Sequence, residues 1–117
     1  MSMSANTSLE RFKVQGNILK LTTRFDPRYQ PRAGMELMNI ISSLAEESEG
    51  NEVVLDMSDT ASMPSMMLGF LTEAQEVATR SGKKLKVRLN TDMYHRLESL
   101  GVMGSFSESD GSLELVP

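Results

Sequence analysis

Cysteine and tryptophan are missing altogether, histidine occurs once, and aromatic residues make up 5% of the chain. Without cysteine there are no disulfides, no thiolate nucleophiles and no cysteine-ligated metals. The single histidine, His95, has no second histidine to share a metal ion, and no serine–histidine–aspartate set can be drawn around it. A surface or capping role on a helix is expected for it. Walker-type glycine loops, GxGxxG and HExxH are absent. The chain is therefore not expected to be an enzyme, and no cofactor, metal or small-molecule substrate is expected. No apolar run approaches the roughly 20 residues that a membrane span requires. No basic segment followed by an apolar stretch opens the chain, so the expectation is a cytoplasmic protein without membrane insertion. Positive charge is in the minority, with 12 Lys and Arg against 16 Asp and Glu, a net charge of −4 and a pI near 5.0. That balance repels phosphate backbones, and no basic stripe is interleaved with aromatics, so nucleic acid is not an expected partner.

What is present fits one small globular domain: 117 residues, 39% hydrophobic and 24% charged. Residues 1–8 are small and polar and are expected to be disordered; residues 9–117 are expected to form a single domain. Phe12 and Val14 alternate with Arg11 and Lys13. Leu19, Leu21, Thr23 and Phe25 alternate with Ile18, Lys20, Thr22 and Arg24. This period of two predicts two half-buried strands, and Gly16-Asn17 between them supplies the positive φ of a tight hairpin. Asp26-Pro27 ends the second strand, and Pro31 cannot join a ladder. From Arg32 to Glu47 the apolar residues Met38, Ile41, Leu44 and Ala45, with Met35 and Leu37 near the start, recur at helical spacing until Gly50-Asn51.

Val53-Val54-Leu55 is a short unbroken apolar run, as expected of a central strand covered on at least part of both faces. Met67, Phe70, Leu71, Ala74, Val77 and Ala78 mark a second helix that stops at Ser81-Gly82. In the basic stretch Lys83, Lys84, Lys86 and Arg88, the charges interleave with Leu85, Val87 and Leu89, the pattern of a strand with one solvated face. Asn90-Thr91-Asp92 offers an N-cap to a third helix carrying Met93, Leu97 and Leu100 and ending at Gly101. Leu113 to Val116 is a candidate edge strand. The order is β-β-α-β-α-β-α with this optional last strand. It predicts an α/β fold, a mixed sheet of four to five strands with helices packed mainly on one face.

The segment from Leu55 to Leu71, LDMSDTASMPSMMLGFL, resembles the STAS domain of anti-sigma factor antagonists. In that family an apolar strand ending in Asp or Asn leads through a loop to Asp-Ser-Ser-Gly-Leu-Gly at the start of a helix. Leu21 to Asp26, Gly82 to Leu85 and Leu97 to Val102 are similar to further family motifs, and the likeness runs from about Leu9 to Phe106. The resemblance implies a STAS-like fold and a partner-switching regulator. Its implied partners are a serine kinase or anti-sigma factor of the GHKL type and a serine phosphatase. It implies phosphorylation at Ser65, with Asp26 and Asp56 contributing charge to partner recognition. Pro64 stands where the family has aspartate, and Met66 and Met67 stand where it has serine and glycine. The alternative that these departures suit is a STAS domain without phosphorylation, a constitutive protein-binding subunit, for instance of a transporter ATPase complex.

The residues themselves add two points. Pro64 suits the first position of a helix, which puts Ser65 in the first turn, where free backbone N–H groups and the helix dipole accommodate a phosphate. Serine at such a position also serves as an ordinary helix cap. Met57, Met63, Met66 and Met67 gather around this loop. Methionine forms adaptable contact surfaces, and Met63 and Met66 are the candidates for partner binding.

Overall fold

The computed structural model describes residues 11–23, 25–26, 32–60, 66–101, 104 and 111–116. Among them the elements run β1 (Phe12–Gln15), β2 (Ile18–Leu21), α1 (Ala33–Glu47), β3 (Glu52–Asp56), α2 (Met66–Arg80), β4 (Lys84–Leu89), α3 (Thr91–Leu100) and β5 (Gly111–Leu115). The expected order holds, and the optional last strand forms. The expectation for residues 1–8 lies outside the described residues. No described helix is long and apolar enough to cross a membrane.

The five strands lie side by side in chain order in one mixed sheet. β1 and β2 form the antiparallel hairpin, with Gln15 opposite Ile18. Gly16 sits at φ 61°, the left-handed conformation that its missing Cβ makes cheap. β2, β3, β4 and β5 are successive parallel neighbours. Each crossover therefore steps one strand in the same direction, and right-handed crossovers put all three helices on one face. The core agrees. Leu19, Leu55 and Val87 align across the sheet, and one cluster unites them with Leu37 and Ile41 of α1, Leu71 and Ala74 of α2, and Met93 and Leu97 of α3.

The central position of Val53 to Leu55 is as expected. Val54 points to the face that carries no helix among the described residues and is still only 3% exposed. Its register neighbours are Ile18 and Lys86, and the next row is Lys20, Asp56, Arg88 and Glu114. Long aliphatic stems laid along an open sheet cover apolar surface while their charged heads stay in water. Opposite charges alternate along that row, and Glu114 accepts from Arg88 Nε at 3.2 Å and lies 3.8 Å from Lys86 Nζ.

Four details depart from the expected pattern. Val14 is 50% exposed despite its place in the alternation, because β1 is the edge strand of the sheet. β2 stops at Leu21 instead of continuing to Phe25. The chain turns, with Phe25 N–H donating to Thr22 O at 3.1 Å, and Phe25 still reaches the core, its ring centroid 5.5 Å from that of Phe12. Met35 and Leu100 fall at helical spacing yet face solvent; Leu100 is the last residue of α3, ahead of Gly101 at φ 71°. Lys83 also leaves the solvated stripe, since its ammonium donates to Ser48 O at 2.7 Å and so ties β4 to the loop after α1.

α1 and α2 meet closely at Gly34. A Cβ built there would lie 2.6 Å from Phe70 Cε1 and 2.8 Å from Cζ. Gly34→Ala is expected to push the Phe70 ring outward and to destabilise by about 1 kcal/mol, the overpacking cost outweighing the gain in helix propensity. Thermal melts of Gly34→Ala, Phe70→Leu and the double variant check this. Leucine lacks the two clashing ring atoms, so the double variant should lose less than the sum of the singles.

Candidate functional site

The carboxyl ends of the parallel strands bring together the segments that follow β2, β3 and β4, the place where open α/β sheets commonly bind ligands. Asp56 ends β3 and is 8% exposed. One of its oxygens, Oδ1, accepts from Ser58 N at 2.9 Å and from Ser58 Oγ at 2.6 Å. This is an Asx turn: the side chain replaces the backbone partner that the departing strand no longer supplies. Thr60 N–H then donates to Met57 O at 3.1 Å, and Met57 N–H to Arg88 O at 2.8 Å, so the loop starts firmly anchored to β4.

Asn90 holds the same loop from the other side. Its Oδ1 accepts from Met93 N at 3.0 Å, the N-cap of α3 expected from Asn90-Thr91-Asp92. Its Nδ2 donates to both Ser58 O and Thr60 O, each at 3.2 Å. Thr60 is buried, and its Oγ1 has no hydrogen-bond partner among the described residues. Between the loop and the start of α3 lies a shallow crevice of about 380 Å³ lined by Ser58, Asp59, Asn90, Thr91, Asp92 and Val116.

Lys20, at the end of β2, reaches across to Asp59, Nζ to Oδ2 3.1 Å. The hydrogen bond to Asp59 raises the Lys20 pKa above its ordinary 10.5. The charge of Asp59 and, more weakly, that of Asp56 add to this, against partial desolvation. A lysine raised on folding contributes stability that is fully present below 10.5 and is lost as pH rises through the folded value. Lys20→Met should therefore cost stability at pH 7 and converge with the parent in alkali. Because both groups face solvent, the cost should stay under about 1 kcal/mol and shrink further in salt. Urea unfolding of both proteins at pH 7 and at successively higher pH above 10.5 measures it.

The expected site residues divide as follows. Asp56 is in the assembly just described, but its carboxylate is nearly buried and engaged with Ser58. Asp26 is half-buried in the segment after β2. Met66 is the first residue of α2, with only its backbone described. Ser65 and Met63 lie outside the described residues. Sequence reasoning missed the Lys20–Asp59 pair, the Asp56–Ser58 turn and the second role of Asn90. Of these only the turn had a local signal, Asp-x-Ser at the end of an apolar strand.

The arrangement defines an α/β domain with a five-stranded mixed sheet, three helices among the described residues, and a pinned polar loop at its carboxyl edge. Compared with protein-family models, with curated proteins and with solved structures, the chain matches none of them.

Proposed function

We propose that this chain is a STAS-type regulator of the anti-sigma-factor-antagonist kind, which binds a protein partner through the segment between β3 and α2 and is released by phosphorylation at Ser65. The partners under this reading are a GHKL-type serine kinase or anti-sigma factor and a serine phosphatase, in the cytoplasm. The chain itself catalyses nothing.

The observation that carries the reading is the anchored loop. Residues 57 to 60 are fixed by Asp56, Arg88 and Asn90 immediately before the segment that holds Met63, Ser65 and Met66. A fixed base lowers the ordering cost of docking at the segment that follows it, which favours recognition by a partner protein. The element order and the strand-end position of Asp56 also suit the family likeness.

Ser58, the serine of this loop among the described residues, is a poor acceptor. Its hydroxyl already donates to Asp56, and Asp59 follows it, so a phosphate there would meet two carboxylates. Serine kinases of the GHKL type from the same genome, incubated with the chain and followed by phosphosite mapping, test the proposal. Phosphate on Ser65 that abolishes capture of the kinase supports the switch. Phosphate on Ser58 alone overturns the site. Stable capture by a transporter ATPase, with Ser65 never modified, replaces the switch with a constitutive subunit.

A further inference from the structure

We infer that the carboxamide of Asn90 couples the N-terminus of α3 to the loop after β3, so that loosening one end loosens the other. Three hydrogen bonds converge on this side chain: Met93 N–H to Oδ1 at 3.0 Å, and Nδ2 to the carbonyls of Ser58 and Thr60 at 3.2 Å each. Only one orientation of the amide satisfies all three, because the helix offers a donor and the loop offers two acceptors. A planar amide cannot turn one end alone. A change in either of its side-chain torsions that breaks the loop bonds also moves Oδ1 off the cap.

The two ends are 30 or more residues apart in sequence, and the same side chain spans the crevice between them. Ser58 and Asp59 of the loop and Thr91 and Asp92 at the start of α3 all line it. A group entering the crevice touches both ends of the clasp, and linkage makes the effect of each end on the other reciprocal. This coupling does not depend on whether Ser65 is phosphorylated.

Asparagine is specifically required. Aspartate or serine keeps an oxygen suited to capping Met93 N–H, but neither supplies two amide donors to the loop. Simple helix capping would tolerate both replacements; coupling would not.

Amide hydrogen exchange of the whole chain, read by NMR, tests this through a double-mutant cycle. Asp56→Ala removes the Asx turn from the loop without touching α3. In the parent background it should speed exchange at Met93 on the order of fivefold to tenfold, the scale of one lost hydrogen bond. In the Asn90→Ser background the same change should leave Met93 within about twofold, since the link is already cut. The Val87 amide, in the centre of the sheet, reports global unfolding and should shift equally in both backgrounds. If Asp56→Ala fails to fold, Ser58→Gly loosens the same turn more gently. A Met93 response that is the same in both backgrounds, or absent from the parent, overturns the coupling.

Discussion

Leu55→Ala is expected to destabilise the domain by about 2–5 kcal/mol and to lower its melting temperature by about 10–20 °C. Leu55 is fully buried in the middle strand, with Leu19 and Val87 as its register neighbours on either side, all three within the one core. Both neighbours are held by backbone ladders, so the sheet cannot close in to fill the space. α1 and α2 above it each lead within a few residues into the next strand, so they can collapse only in part. Loss of transfer free energy and the residual cavity therefore add. A small domain has about 5–15 kcal/mol in total, which makes this one methyl cluster a large share of the fold. Leu100→Ala is the matched control, because Leu100 is 56% exposed and its truncation should cost no more than about 0.5 kcal/mol. A Leu55→Ala protein melting within about 5 °C of the parent would mean that the core is not centred on β3.

The same contrast between Leu55 and Leu100 shows how far the sequence could be read. Periodicity identifies which residues share a face, and it worked for the covered stretches of the elements: Val53 to Leu55, Leu71 with Ala74 and Ala78, Met93 with Leu97. It failed where an element reaches the rim of its covering. Val14 and Leu100 keep the spacing of core residues, but one sits on the edge strand and the other on the last turn of α3. Phe25 shows the opposite failure, reaching the core through a turn instead of through strand alternation.

Local chemistry was equally legible when both partners were near in sequence. Asn90-Thr91-Asp92 is expected to cap α3, and Asn90 does so, its partner Met93 being three residues on. Its bonds to Ser58 and Thr60, and the Lys20–Asp59 pair, bridge 30 or more residues and exist only because β2, β3 and β4 end at the same edge of the sheet. No sequence pattern encodes that proximity. It follows from parallel strands whose carboxyl ends must all lie together.

Under the proposed switch, Ser65→Asp is expected to weaken capture of a partner kinase by at least about tenfold while leaving the melting temperature within a few degrees of the parent, and Ser65→Ala is expected to bind as tightly as the unphosphorylated parent. The difference between interface and fold follows from where the charge goes. Ser65 precedes the first residue of α2, and an anion near a helix N-terminus is favoured by the dipole and the unpaired N–H groups there. Replacing a capping serine by alanine costs about 0.5–2 kcal/mol, and aspartate caps about as well as serine. A partner docked on the proposed binding segment beside Ser65 has no such compensation. It must strip water from the carboxylate, and breaking even one buried charge away from its solvent or partner costs several kcal/mol. A phosphate, with about −1.5 to −2 charges, should therefore release more completely than the single carboxylate. Calorimetric titration of parent, Ser65→Asp, Ser65→Ala and enzymatically phosphorylated protein against the kinase gives the affinities, and melts of the same samples give the stabilities. If Ser65→Asp binds like the parent while phosphorylated protein is released, the phosphate acts by its size and multiple oxygens more than by charge alone. If neither is released, Ser65 is only a helix cap and the partner is held constitutively.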